Sequence, residues 1–141
     1  MKYPHRAILR AAAALFYVLL AAACDEAVPT APSVPLNHEF TLAPGDSTAI
    51  LGTSVRLQFV GVPADSRCPA DAVCIQAGDA IVHVAASGNT SAEYDLHTAD
   101  PTKAVVQHDG VRIALVSLQP YPFGGRPIEP EEYRATFTGS R

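Results

Sequence analysis

Cys68 and Cys74 are two of the three cysteines of this sequence, the most reactive side-chain type it holds. Both stand in one stretch, Asp65-Ser66-Arg67-Cys68-Pro69-Ala70-Asp71-Ala72-Val73-Cys74-Ile75-Gln76-Ala77-Gly78. Three chemistries use residues of these types. The thiols could close a disulfide, or bind zinc with His83, or the carboxylates of Asp65, Asp71 and Asp79 could face a calcium ion, which takes about six to eight oxygens. Spacing argues against both metals. Five residues between cysteines is not a zinc-knuckle spacing, and the alternating aspartates of an EF-hand loop are absent. Aspartates in such turns ordinarily accept backbone N–H groups, and Asp65 can pair with Arg67. The expectation is no metal and no cofactor. A rigid loop beside an exposed Arg67 could also be offered to a trypsin-like protease, since rigidity lowers the ordering cost of binding, but nothing else in the sequence supports that use.

Catalytic patterns are missing. Beyond residue 24 the histidines are His38, His83, His97 and His108, and none lies in an H-E-x-x-H pair. No G-x-S-x-G is present. Glu131-Glu132 adjoins a proline-rich loop and reads as a solvated strand approach. Each histidine reads as a surface strand residue. Acid and base candidates without a shared geometry do not make an active site, so the chain is not expected to be an enzyme.

The N-terminus fixes the compartment. Lys2, Arg6 and Arg10 precede an uncharged apolar run from Ala11 to Ala23. A spanning helix needs about 20 residues, more than this run provides. A basic start, a short apolar run and small residues at its end make a secretory signal peptide over 1–23. Leu20-Ala21-Ala22-Ala23-Cys24 resembles the bacterial lipobox, which implies acylation of Cys24, as with palmitate, and a membrane anchor. The lipobox prefers Leu three residues before the cysteine, where this chain has Ala21. The alternative is ordinary cleavage at Ala-x-Ala with Cys24 unmodified. Lipid on Cys24 would leave Cys68 and Cys74 as a pair in an oxidising compartment, where they can bridge. The chain-entropy model gives a loop that short about 2.4 kcal/mol. Asp25 after the cysteine resembles an inner-membrane retention signal of some bacteria.

All 14 acidic residues follow Cys24, against seven of the ten Lys and Arg, giving a formal charge of −7. A surface of that sign is a poor partner for phosphate, so no nucleic acid is expected. Nor would it approach an anionic membrane by electrostatics. The expected contact with the membrane is the lipid on Cys24, and the other partner is an unidentified protein or envelope ligand.

The elements that must position the loop follow in order. Residues 24–37, with Pro29, Pro32 and Pro35, read as an extended tether that holds a domain off the bilayer. Residues 38–138 form the domain, with 139–141 as a tail. Its apolar period is two. The expected strands are 38–42, 47–51, 55–59, 80–86, 91–98, 104–108, 111–118 and 133–138. Tyr133, Ala135 and Phe137 point inward. Ser87-Gly88-Asn89-Thr90 and Asp109-Gly110 are hairpin turns, which is also the reading of the Asn89-Thr90-Ser91 sequon. Gln119 to Pro130 is a long irregular loop with four prolines. Short runs near ten-residue spacing predict an all-β antiparallel sandwich of Ig-like architecture, with a small β-barrel as the alternative. The cysteines are too close for the inter-sheet bridge of a true immunoglobulin domain.

Asp65-Ser66-Arg67-Cys68-Pro69 with Val73-Cys74-Ile75-Gln76-Ala77-Gly78-Asp79-Ala80, and later Leu118-Gln119-Pro120-Tyr121-Pro122, resembles a layout shared by small uncharacterised bacterial envelope lipoproteins. Those relatives tend to carry Trp where this chain has Gln76, which weakens the idea of an aromatic platform there. The resemblance implies location and fold, and no mechanism. Rigid scaffolds commonly carry function on loops. The expected binding surface is therefore Asp65, Arg67, Asp71, Gln76 and Asp79 together with Tyr121, Phe123 and Arg126. The function expected is a lipid-anchored, exported binding or structural module in the periplasm or at the cell surface. A small periplasmic metal-binding protein or hydrolase is one alternative, and a protease-inhibitor-like loop presenter is another.

Overall fold

The computed structural model describes residues 32–141. The expected signal peptide and Cys24 lie outside the described residues. Nine strands follow in order: β1 (Ser33–Val34), β2 (Glu39–Leu42), β3 (Ser47–Ile50), β4 (Arg56–Asp65), β5 (Ala80–Ser87), β6 (Ser91–His97), β7 (Val105–His108), β8 (Val111–Gln119) and β9 (Arg134–Ser140). One short 3-10 turn, Pro130–Glu132, precedes β9. Two sheets result, ordered β1-β3-β4-β5-β6 and β2-β9-β8-β7. The architecture is a sandwich, not a closed barrel.

Alternation writes this arrangement into the chain. Side chains of a strand point to opposite faces in turn, and β5 buries Ala80, Val82, Val84 and Ala86 while the residues between them face outward. β9 does the same with Ala135 and Phe137. Phe137 packs against Phe40 of its own sheet, ring centroids 5.9 Å apart, and edge-on against Phe59 of the other sheet at 6.2 Å. This aromatic stack joins the two layers at the centre of the core. At the end of β7, Asp109 and Gly110 have φ of 47° and 76°, the pair of positive values that a two-residue hairpin of matching twist requires. The Asp109 carboxylate accepts the Thr90 N–H at 3.0 Å and its hydroxyl at 2.9 Å. The β5–β6 and β7–β8 hairpins are tied together there, across the two sheets.

Three boundaries differ from the sequence reading. The sheet starts inside the expected tether: Ser33 and Val34 pair in parallel with Ala49 and Ile50, and the Pro32 carbonyl accepts the Ala49 N–H and the Thr48 hydroxyl. Pairing among the eight expected strands is antiparallel throughout. β4 continues six residues past Phe59, because irregularities at Gly61 and before Ala64 carry it around Pro63. Such bulges let a strand hold residues that a regular ladder excludes. β9 reaches Ser140, where the tail was expected. A further irregularity between Leu115 and Ser117 turns Val116 to solvent and brings Leu118 inward. The adjacent apolar pair Leu115-Val116 is the sequence trace of that change of phase.

His108 corrects the expectation that every histidine is superficial. It is 3 % exposed, with Nδ1 3.1 Å from the Tyr94 hydroxyl. Among the described residues, its Nε2 is the buried side-chain nitrogen without a hydrogen-bond partner.

Truncating the residue that joins the layers tests this description. Phe137→Ala should lower unfolding stability by about 3–5 kcal/mol, read from urea denaturation. A loss below about 1 kcal/mol, as an exposed position gives, would contradict the central stack.

Candidate functional site

The segment from Ser66 to Asp79 leaves β4 and returns to β5 through a paired neck. The Ser66 N–H donates to the Asp79 carbonyl at 2.7 Å and the Cys68 N–H to the Ala77 carbonyl at 2.8 Å. Gly78 closes the neck with φ of 70°, and a Cβ there would meet the Ser66 carbonyl oxygen at 1.8 Å. Only glycine fits both demands. Beyond the neck, Cys68 and Cys74 form a disulfide with Cα atoms 5.9 Å apart.

Arg67 turns the other way, into the protein, and is 8 % exposed. Its guanidinium has four hydrogen bonds. Nε and Nη2 donate to the two oxygens of Asp65 at 2.9 and 2.6 Å, Nη1 to the Leu118 carbonyl at 2.8 Å, and Nη2 again to the Pro120 carbonyl at 3.0 Å. The Tyr133 hydroxyl donates to Asp65 at 3.1 Å, and the Tyr121 ring lies 5.3 Å from the guanidinium. Burial by itself would raise the Asp65 carboxyl, but hydrogen bonds and charge from Arg67, with the Tyr133 hydroxyl, outweigh it and hold Asp65 below its ordinary value of 3.8. Burial, with the Asp65 charge, pushes Tyr133 up to about 12. This cluster fixes the end of β4 to the end of β8.

The loop after β8 is laced to the disulfide loop. Ala70 N–H donates to the Pro122 carbonyl at 2.9 Å, and Gly124 N–H to Asp71 Oδ1 at 2.6 Å. Farther along, Arg126 pairs with Glu132. The structure therefore brings the two expected loops together. It also separates the expected surface into two groups. Asp65 and Arg67 are spent on the clamp, which corrects the expectation of an exposed Arg67 for a protease. Asp71 is spent on the lacing. Gln76, Tyr121, Phe123 and Arg126 remain on the outside, Phe123 at 60 % exposure. Val73 and Ile75 were missed, and each is fully exposed. The available signal was their position on either side of Cys74.

Two acid–histidine pairs lie on the outer face of the first sheet. His97 Nδ1 is 2.5 Å from Asp79, which also accepts the Thr98 hydroxyl and the Ala99 N–H. Burial would raise Asp79, and these bonds hold it below the ordinary carboxylate value instead. His97 and Arg67 line a groove of about 300 Å³ that Ser117 and Tyr121 share. His83 Nδ1 is 2.6 Å from Asp95. That bond, against a smaller opposing effect of burial, raises the His83 pKa. The groove beside His83 is lined by Val60, Gly61, Val62 and Pro63. Among the described residues, no three of His, Cys, Asp and Glu converge on a common point. Asp65, Asp71 and Asp79 face different partners. Among the described residues, no hydroxyl or thiol is hydrogen-bonded to the free nitrogen of His97.

Comparison of the chain with protein-family models, with curated proteins and with solved structures finds no match.

Two outcomes check this geometry. Replacing Cys68 and Cys74 together by Ser should remove about 2.4 kcal/mol, on the order of 10 °C in melting temperature for a domain of this size. An unchanged melting curve would remove the staple from the account. For the clamp, Asp65→Asn leaves a buried guanidinium without its counter-charge and should cost about 3–5 kcal/mol at pH 7. Because the folded pKa of Asp65 lies below 3.8, its stabilisation is present above that pH and is lost as pH falls through the folded value. The gap between wild type and Asp65→Asn should narrow below pH 3.8. A gap that stays constant into that range would contradict the clamp.

Proposed function

We propose that the chain is an exported bacterial lipoprotein, anchored through Cys24, whose sandwich acts as a non-catalytic binding or structural module of the cell envelope. The observation that carries the module reading is the end of the sandwich where Arg67 and Asp71 bind two loops into one unit and leave Val73, Ile75 and Phe123 outside it. Side chains held outward by a disulfide, a buried ion pair and backbone hydrogen bonds are pre-organised for contact, so little entropy is lost on binding. The N-terminal pattern supports the anchor: three basic residues, an uncharged run to Ala23, and Cys24.

The Asp79–His97 pair favours a second reading, a small hydrolase, because an acid orienting a histidine is half of a nucleophile-activating set. That reading needs a nucleophile at the second ring nitrogen. The bridged cysteines cannot serve, and Ser117 shares the groove without a hydrogen bond to His97.

Expression of the full chain in a bacterial host fed an alkynyl fatty acid tests the anchor. The wild type should incorporate the label and sediment with membranes, and Cys24→Ser should do neither. Labelling that persists in Cys24→Ser, or a wild type that stays soluble and unlabelled, would overturn the proposal.

A further inference from the structure

Val73 and Ile75 have relative exposures of 104 % each, the largest among the exposed apolar side chains of the described residues. Among the described residues, neither lines any of the five best-formed grooves. They stand on a protrusion, stapled at its base, with Phe123 and Tyr121 on the loop laced to it. Isolated apolar side chains on a convex tip have no complementary cavity to offer a shaped partner, but they match a fluid apolar phase. We infer that this end of the sandwich seats in the bilayer that holds the Cys24 lipid, with Val73, Ile75 and Phe123 dipping below the headgroups and Tyr121 at their level. The inference rests on the lipid-anchor reading above.

Strand direction supports it. β1 is parallel to β3, and β3 is antiparallel to β4, with Ala49 opposite Arg56 and Thr48 opposite Leu57. β4 then rises from Leu57 to Asp65, where the disulfide loop begins. β1 therefore runs away from the loop end, and the described chain starts at the end of β1 that faces the loops. Pro32 lies at the level of Thr48 through its carbonyl. From there to the level of Asp65 is eight residues of the bulged β4 but six of its partner β5, from Ala86 opposite Leu57 to Ala80 opposite Asp65, a rise of roughly 20 Å at about 3.3 Å each. The leash from Cys24 to Pro32 spans eight residues, with a reach of at most about 26–29 Å. Capture of Ser33 and Val34 by the sheet is what makes the leash this short. It can bring Cys24 level with Asp65, and the loop tips lie beyond Asp65.

Charge points the same way. The chain after Cys24 is formally −7, yet the stretch 68–77 holds one ionisable group other than its cysteines, Asp71, and Gly124 N–H donates to that carboxylate. The stretch 119–128 holds one charge, Arg126, a cation paired with Glu132. Carboxylates are repelled by an anionic leaflet, so an acidic domain can approach a bilayer best by its uncharged end. An aromatic ring with a polar tip beside aliphatic side chains is the composition of a membrane–water boundary.

The chain contains no Trp, so a single introduced indole reports its own surroundings. The full chain, as wild type and as Ile75→Trp and Leu51→Trp, would be purified from bacterial membranes in detergent. It would then be placed in vesicles of phosphatidylethanolamine and phosphatidylglycerol doped with acyl-brominated phosphatidylcholine. Leu51 is half exposed in the turn after β3, at the end away from the loops. Ile75→Trp should emit at shorter wavelength in vesicles and lose roughly half its emission to the brominated chains, whereas Leu51→Trp should be unaffected. Intact mass on the same samples separates the two claims. A lipidated protein whose Ile75→Trp is not quenched overturns the insertion and leaves the anchor standing, as does equal quenching of both reporters. A chain that lacks the lipid mass and stays soluble overturns the anchor and the insertion together. Unchanged far-UV dichroism and a closed Cys68–Cys74 bridge are required of each variant, and Phe123→Trp supplies a second reporter where Ile75→Trp fails them.

Discussion

A guanidinium withdrawn from water must find acceptors for its N–H groups. Arg67 finds them at one place, where the end of β4, the end of β8 and Tyr133 meet. The two carbonyls come from residues more than fifty positions downstream, so the ion pair with Asp65 is also the bond between the two sheets at the loop end. The disulfide loop and the loop after β8 keep a common orientation because both grow from this cluster. A buried ion pair is weak evidence for net stability, since desolvation offsets most of its attraction. Its consequence here is geometric: it selects one arrangement of two long connections that would otherwise have many.

The rest of the domain resembles a frame for that end. Alternating burial in β5 and β9 and the Phe40–Phe137–Phe59 contacts hold the layers together through the centre. Asp109 ties the hairpins at the opposite end. Between a tied hairpin end and a clamped loop end, the sandwich has little freedom to twist one sheet against the other. Function proposed for the loops therefore acts from a fixed platform, and the membrane-facing orientation inferred for the tips is a property of the whole domain.

Much of this was legible in the residues. Period-two alternation marks eight strands, Asp109-Gly110 marks its turn by the positive φ it needs, and an odd cysteine count with a lipobox-like Cys24 leaves one pair to bridge. What escaped was non-local. Ser33-Val34 is a strand of two residues between prolines, stabilised by a β3 partner that lies sixteen residues later, so composition reads it as tether. Gly61 and Pro63 look like the end of β4, because bulges that rescue them are set by pairing with β5. Arg67 looked exposed because the acceptors that draw it inward, beyond Asp65, are the backbone carbonyls of Leu118 and Pro120, a group that every residue has and none advertises. Val73 and Ile75 were left out of the expected surface because apolar residues ordinarily go inside, and here both stand fully exposed. His108 looked superficial because the Tyr94 ring that covers it comes from another sheet.

The central claim is that the clamp makes the two loops part of the folded sandwich. Amide hydrogen exchange on the oxidised protein reads this residue by residue. The account predicts that the N–H groups of Cys68, Ala70 and Gly124, which donate to Ala77, Pro122 and Asp71, are protected to the same order as those of β4 and β8. Exchange of these three amides at the rate of an unstructured peptide, with the strands still protected, would contradict it.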